Sequence, residues 1–375
     1  MDKPTDKRRP NIDPDQLTAI ARLACDQAKL ELEGWQATQL GGNAGNPVSL
    51  GLYRISGQGR VEGVKQEWSV VLKMIQSPAR LGWVNMGEGD DPSHWNYWKR
   101  EMYAYRSGLL ERLPTGLAAP RCYQIEELPG EITWLWLEDL HDCTALGWTL
   151  ERYARTAGHL GRLNGLSELD GEQPDWLSRQ RSRQWVEGLP HREAEWEHPR
   201  LLERYPPPKA NPFRRMLAHP EPFLERLEQL PQTISHGDTY PTNFLSRCAE
   251  AGQEQTLALD WALMGLAPAG DDLGQFVYGA LARLPEWDKE TKSERLFAAY
   301  LEGLRESGCR LPAEQVLFGF TASAALRVGL FQVFLLGEEI RASGTSGQTG
   351  PGNPSLPECF EVRMAREAYR LLEGS

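Results

Sequence analysis

The chain has 375 residues, and its 41 Lys and Arg against 52 Asp and Glu give a formal net charge of −11. That length exceeds one typical core and predicts two domains or two lobes around a cleft, while the negative charge argues against nucleic acid, whose phosphates are gripped by clustered Lys and Arg. Apolar runs such as TWLWL (133–137) fall far short of the ~20 residues of a membrane span, and no charged-then-apolar leader opens the chain, so a cytoplasmic protein with no membrane partner is expected.

Residues 1–12 are polar and predicted to fray. Asp13 can cap a helix that places Pro14 at its first position, keeps Leu17, Ile20, Ala21, Ala24 and Ala28 on one face and stops before Gly34. ATQL (37–40), LGLYRIS (50–56) and WSVVLKMI (68–75) predict an antiparallel meander, with GGNAGNPVS (41–49) as its first connection and a hairpin turn around Gly57 and Gly59, in GQGRVEG (57–63), as its second. After a Gly- and Asp-rich loop (82–92), Ser93 is a candidate cap for a helix with Trp95, Trp98, Met102, Tyr105 and Leu109 on one stripe. Strands around RCYQI (121–125) and TWLWLEDL (133–140) close the N-terminal unit.

From Thr149 the pattern turns helical, as in LERYARTAGHLGRLNGL (150–166), followed by a Trp-, Arg- and Pro-rich stretch to about Pro222. ISHGDTYPTNFL (234–245) comes next, then a hairpin turning at AEAGQEQ (249–255), the apolar TLALDW (256–261), and helices to the end around a Gly/Ser/Pro-rich insert (342–355). No internal repeat is present. The six cysteines are scattered, with no C-x-x-C pair and no His at metal spacing, so reduced packing cysteines are expected. The sum is an α+β chain with a small mostly-β lobe, residues 1–140, and a larger mostly-α lobe, residues 141–375.

Phosphoryl transfer spreads charge over the γ-phosphoryl oxygens, so a site for it must supply cations and geometry rather than covalent chemistry. Lys73 is the only charge in VVLKMIQ. An ammonium in an apolar strand is costly unless it is paired or faces a cleft, the alternative being an edge strand from which it reaches water. Glu101 sits three residues after Trp98 and four before Tyr105, so its carboxylate can lean toward the sheet; a solvated helix Glu is the bland alternative. In HGDTYPTN, Asp238 precedes Asn243 by five positions with Pro241 between them, which lets one loop offer a carboxylate to a hydroxyl and an amide oxygen to Mg²⁺. Asp260, at the end of an apolar strand one hairpin later, supplies a second oxygen to the same edge. An H-x-D-x-x-x-x-N string alone is a weak signal; its company, in this order, makes it a site.

With these residues the chain resembles the aminoglycoside phosphotransferase and choline kinase family, small-molecule kinases with a protein-kinase-like, two-lobed fold. His236, Gly237, Asp238, Asn243, Asp260, Trp261, Asp272 and Leu273 match its H-G-D-x-x-x-x-N, apolar-Asp-Trp and D-L signature. The resemblance implies Asp238 as the catalytic base, Asn243 and Asp260 as Mg²⁺ ligands, and Lys73 on the nucleotide phosphates, paired with Glu101. It implies Gly42 and Gly45 in a phosphate-facing loop, Glu138 to Leu140 as the hinge at the nucleotide base, and His236 and Asp272 as supports of the loop. It further implies ATP as donor, with GTP an option, and a small-molecule hydroxyl as acceptor, including antibiotics. The 82–92 loop lengthens the spacing from Lys73 to Glu101, and residues 41–49 lack a G-x-G-x-x-G. Gly237 and Ala262 replace the Arg of H-R-D and the Gly of D-F-G, which leaves no receptor for an activation-loop phosphate and implies a constitutive kinase. The alternatives are a nucleotide-binding pseudokinase acting as scaffold or regulator, and a metallohydrolase H-x-D pair, which would need further His ligands that the sequence does not place nearby.

Overall fold

The first helix forms where its cap sits. Asp13 Oδ1 accepts the amides of Asp15 and Gln16 at 2.8 and 3.2 Å, and Pro14 opens α1 (Pro14–Cys25), with Leu17, Ile20 and Ala21 fully buried. Asp26, at φ 55°, ends it in the left-handed conformation, earlier than the apolar stripe predicts. A computed structural model of the chain describes residues 10–40, 48–81, 89–143, 147–166, 173–189, 198–205, 212, 214–216, 218–248, 254–285, 288–343 and 360–374. The candidate phosphate loop with Gly42 and Gly45 and most of the 342–355 insert lie outside these residues.

The N-terminal lobe continues with β1 (Glu31–Gln39), β2 (Ser49–Val61), β3 (Val64–Gln76), α2 (Arg100–Arg106), β4 (Leu117–Ala118), β5 (Cys122–Leu128) and β6 (Ile132–Glu138). Five of these strands form one antiparallel sheet in the order β1-β2-β3-β6-β5, so β3, with Lys73, is the central strand. Alternation assigns its faces. Trp68, Val70 and Leu72 of β3 join Tyr53, Ile55, Trp134 and Trp136 in a core against α1, while Val71, Leu135 and Leu137 pack with Met102 of α2 on the other face.

The second lobe holds α3 (Leu150–Asn164), α4 (Arg181–Gly188), α5 (Pro199–Arg204), α6 (Glu221–Gln229), β7 (Gln232–Ser235), β8 (Phe244–Cys248), β9 (Glu254–Ala258), β10 (Gly265–Pro268), α7 (Asp271–Leu281) and α8 (Lys289–Glu306). It closes with α9 (Ala313–Ser323), a π-helical turn (Ala324–Gly329), α10 (Leu330–Ser343) and α11 (Phe360–Glu373). β8 and β9 form the expected antiparallel hairpin, β4 adds to β9 in parallel, and β7 pairs with β10. Among the described residues one helix, Ala313–Arg341, has the length and composition to cross a membrane, contrary to the short runs anticipated; most of it is buried in this lobe as a core helix.

Three other expectations are corrected. The second hairpin does not turn at Gly57 and Gly59: β2 runs through both, and the turn is Glu62–Gly63. Gly57 serves close approach, since a Cβ there would lie 2.2 Å from the Gly34 carbonyl oxygen of β1. Ser93 does not cap a helix. It closes a turn on Asp91, whose Oδ1 accepts its amide and hydroxyl at 2.9 and 2.8 Å, and α2 starts only at Arg100, whose side chain takes up the carbonyls that a longer helix would have used internally. Finally, Cys143 and Cys248 form a disulfide with Cα atoms 5.9 Å apart. Their separation of 105 residues hides the pair in the sequence; it forms because the chain after β6 runs beside β8, with the Cys143 amide donating to Ser246 O at 2.9 Å. Cys25, Cys122 and Cys309 are free.

Buried His159 in α3 shares a 2.8 Å hydrogen bond with Thr256 Oγ1 of β9, and burial, aided by Arg162 and Arg155, lowers its pKa to about 4. Unfolding restores an ordinary imidazole near 6.5, so the unfolded chain binds the extra proton between those values and stability falls as pH drops from 6.5 toward 4. The contribution is on the order of 3 kcal/mol at pH 4. Denaturant unfolding of wild type and His159→Gln at pH 7 and pH 4.5 should show wild type ahead at pH 7 and the gap shrinking at pH 4.5; a gap independent of pH would contradict the assignment.

Candidate active site

Lys73 projects from the central strand toward the second lobe. Its Nζ lies 2.5 Å from Glu101 Oε2 and donates to Asp260 Oδ1 at 2.9 Å. Burial alone would discourage the ammonium, but Asp260 and Glu101 outweigh it and hold Lys73 charged beyond its ordinary range. The same cation keeps the Asp260 carboxyl below the usual range, whereas burial raises Glu101 and Lys73 offsets that only in part.

Glu101 reaches this position because of its neighbour. Arg100 is fully buried, and its guanidinium donates to the carbonyls of Pro92 (2.9 Å), His94 (2.5 Å), Trp95 (2.7 Å), Trp176 (2.9 Å) and Ala262 (3.3 Å). Ala262 lies two residues after Asp260, so the start of α2 is tied to the segment that carries the second partner of Lys73. Sequence reasoning passed over Arg100, for which a second charge beside Glu101 was the only signal.

The loop 236–243 joins β7 to β8, and its polar backbone is accounted for step by step. Asp272, at the start of α7, accepts the amides of His236 (2.8 Å) and Gly237 (2.9 Å) and the Asn164 side chain (3.0 Å). Thr239 Oγ1 donates to the Asp272 carbonyl, and its amide to Gln275 Oε1 at 3.2 Å. Fully buried His236 has its ring 4.5 Å from that of Trp261. Its Nδ1 accepts the Asp238 amide at 3.2 Å and its Nε2 donates to Leu259 O at 2.9 Å. Burial lowers its pKa, and these two bonds require the neutral ring.

Asn243 Nδ2 donates to Asp238 O at 3.0 Å and to Asp238 Oδ2 at 2.9 Å, which commits its nitrogen and leaves its Oδ1 as an acceptor. Burial and the nearby Asp260 raise the Asp238 carboxyl above its ordinary pKa. Asp260 stands two residues past β9 at φ 60°, with 41% of its side chain exposed, in contrast to the buried Asp271 and Asp272.

Lys73, Glu101, Asn243 and Asp260 line one cavity of about 580 Å³ between the lobes. Leu40, Leu52 and Val71 of the sheet side and Leu245 and Leu259 of the other give it apolar walls, and Glu138, Asp139 and Leu140 form part of its lining. Glu138 donates its amide to Arg121 O (2.8 Å), and its side chain meets Arg247 Nη2 at 2.5 Å, so an amide from this segment facing a base must come from Asp139 or Leu140. Asp271, Arg181 and Arg327 gather behind the loop. Arg327 carried the same signal as Lys73, being the only charge in VLFGFTASAALRVGLFQVFLLG (316–337), and was missed.

The sequence profile of the phosphotransferase enzyme family matches residues 104–309, a stretch that includes Asp238, Asn243, Asp260 and Asp272 but neither Lys73 nor Glu101. No curated protein matches the sequence. Among solved structures, an amicoumacin kinase in complex with AMP-PNP, Ca²⁺ and Ami is similar at 15% identity, with 97% of each chain covered and a TM-score of 0.51, which is a likeness of fold. An aminoglycoside phosphotransferase from Alicyclobacillus acidocaldarius has 14% identity over 99% of this chain and 97% of that one (TM-score 0.49). A choline kinase from Streptococcus pneumoniae has 13% identity over 95% and 98% (TM-score 0.42).

Replacing Asp272 by Asn exchanges an acceptor-only carboxylate for a group whose NH₂ must face a backbone amide. A loss of about 2–4 kcal/mol of stability in urea unfolding is expected, with helical circular dichroism retained; an unchanged midpoint would show that the brace is dispensable.

Proposed function

Since the chain belongs to the phosphotransferase enzyme family and is a small-molecule kinase, we propose that it transfers the γ-phosphoryl group of Mg²⁺-bound ATP to a hydroxyl of an aminoglycoside-type antibiotic or a related amino alcohol or sugar. The observation that carries this reading is the single cavity in which Lys73, Glu101, Asn243 and Asp260 meet beside a hinge segment, with Asp238 hydrogen-bonded to Asn243. Lys73, held charged by two carboxylates, contacts the nucleotide phosphates. Asp238 accepts a hydrogen bond from the acceptor hydroxyl and takes its proton as the phosphoryl group moves.

The donor set suits Mg²⁺. Asp260 offers a half-exposed carboxylate and Asn243 an uncommitted amide oxygen, and Mg²⁺ characteristically takes one or two such protein oxygens, completing its shell with phosphates and water. When bound, the ion supplies charge neutralisation at the β- and γ-phosphate oxygens. All other steps belong to the protein.

The net charge of −11 favours cationic acceptors. Of the tryptophans that could line an acceptor wall, Trp148 packs on Tyr153 and Trp176 on Tyr103, while Trp185 meets Trp95 and Phe331 (5.1 and 5.4 Å between ring centroids) beside the helix that carries Arg327. Trp196 lies outside the described residues. With an antibiotic as acceptor, the protein would confer resistance from the cytoplasm, and with no phosphate receptor at Gly237 it would act constitutively.

ADP release from Mg²⁺·ATP across a panel of aminoglycosides, choline, sugars and macrolides tests the acceptor. Asp238→Ala should lower turnover on the accepted substrate by ~10²–10⁴-fold; rates equal to wild type would remove Asp238 from its role, and no turnover by wild type on any acceptor would return the pseudokinase reading. Lys73→Met should raise KM for Mg²⁺·ATP and lower kcat together; an unaltered KM would place the nucleotide phosphates elsewhere.

A further inference from the structure

Arg181 of α4 and Arg327 of the π-helical turn approach the loop 236–243 from separate elements, with 2% and 6% of their side chains exposed. Both donate to the same atom, Asp271 Oδ2, at 2.7 and 2.8 Å. Although burial opposes it, Arg327 and Arg181 together keep the Asp271 carboxyl ionised. Burying two cations on one carboxylate costs heavily in desolvation, and apolar residues of similar volume often serve stability as well or better. The arrangement therefore calls for an explanation beyond stability.

The remaining N–H groups supply it. Arg181 donates to Leu263 O (2.7 Å) and Ser235 Oγ (2.8 Å), which flank the loop. Arg327 Nη2 donates to Gly237 O at 2.8 Å. That carbonyl belongs to the peptide unit whose N–H is the amide of Asp238, and that amide donates to His236 Nδ1. The plane from which Asp238 extends is thus gripped at one edge by Arg327 and at the other by His236, while the two preceding amides are held by Asp272. Gly237 completes the arrangement. Its φ is 86°, and a Cβ would sit 2.1 Å from the Leu263 carbonyl oxygen and 2.3 Å from Arg181 Nη1, so neither that backbone nor the Arg181 guanidinium leaves room for a side chain. π-helical turns are often found at functional sites, and this one carries the residue that reaches the loop.

We infer that Arg327 is a positioning residue for Asp238, and that Arg181 and Asp271 complete an internal charge clamp that sets the loop permanently, with the Asp271 carboxylate as the fixed counter-ion. The inference rests on Asp238 acting on the acceptor. Arg327 touches neither nucleotide nor acceptor in this scheme; it sets the direction of the carboxylate that does.

Arg327→Lys is the informative variant. It keeps a cation for Asp271 but loses the planar fork that reaches Asp271 and Gly237 at once. Displacing a reacting group by about 1 Å can cost ~10²-fold, so kcat for ADP release from Mg²⁺·ATP, measured with the acceptor the panel identifies and with water alone, should fall roughly 10- to 100-fold. KM for Mg²⁺·ATP should stay within about twofold and the melting temperature near that of wild type, because the cavity and the ion pair persist. Arg327→Met leaves Asp271 paired with Arg181; it should fold and lose at least as much kcat, again with KM preserved.

A folded Arg327→Lys protein with wild-type kcat would overturn the inference, as would kcat and KM changing in parallel with a lowered melting temperature. Failure of both variants to fold would also overturn it, by making Arg327 a requirement of the fold. Asp238→Ala is measured alongside. If it keeps turnover, the functional reading fails; if it is silent while Arg327→Lys is normal, only the clamp fails.

Discussion

The structure turns on one buried cation. Lys73 sits on the central strand of the sheet, where an unpaired ammonium could not be tolerated, and the chain offsets its desolvation by bringing in Glu101 from α2 and Asp260 from the far side of the cleft. Satisfying that charge draws the helix, the sheet and the second lobe toward a common point. Arg100 acts in the same direction, since its guanidinium collects five carbonyls from the turns before α2, from Trp176 and from Ala262. The cavity between the lobes is the space left around these contacts.

A second constraint is backbone polarity. A loop crossing the interior must find a partner for each amide and carbonyl. Residues 236–239 find them in Asp272, His236, Gln275 and Arg327, so the loop is as determined as an element of secondary structure. The carboxylates divide accordingly. Asp271 and Asp272 are buried and committed to arginines and amides, whereas Asp260 keeps exposed surface and Asp238 has Asn243 as its side-chain hydrogen-bond partner.

The connection between the lobes is held in a similar way. Glu138 pairs with Arg247, the Cys143 amide donates to Ser246 and Cys143 is bonded to Cys248, so the segment after β6 is fastened to β8 at three successive points. Because Asn243 immediately precedes β8, the Glu138–Leu140 end of the cavity and its Asn243 end share one support.

The sequence by itself determined the elements and the principal chemistry. Apolar alternation revealed the strands, Asp13 and Pro14 the first helix, and the spacing within HGDTYPTN together with Lys73 and Asp260 the candidate site, because these signals lie in local pattern or in a charge set against apolar surroundings. The structure alone decided what depends on long-range approach: that β3 is central, that Arg100 replaces the first turns of the expected helix, and that Cys143 meets Cys248. It also decided why residue 237 is glycine: at φ 86° the Leu263 carbonyl and the Arg181 guanidinium fill the space of a side chain. Partners separated by 56 residues, as Asp271 and Arg327 are, leave no mark in local spacing; only packing selects which buried arginine finds which carboxylate.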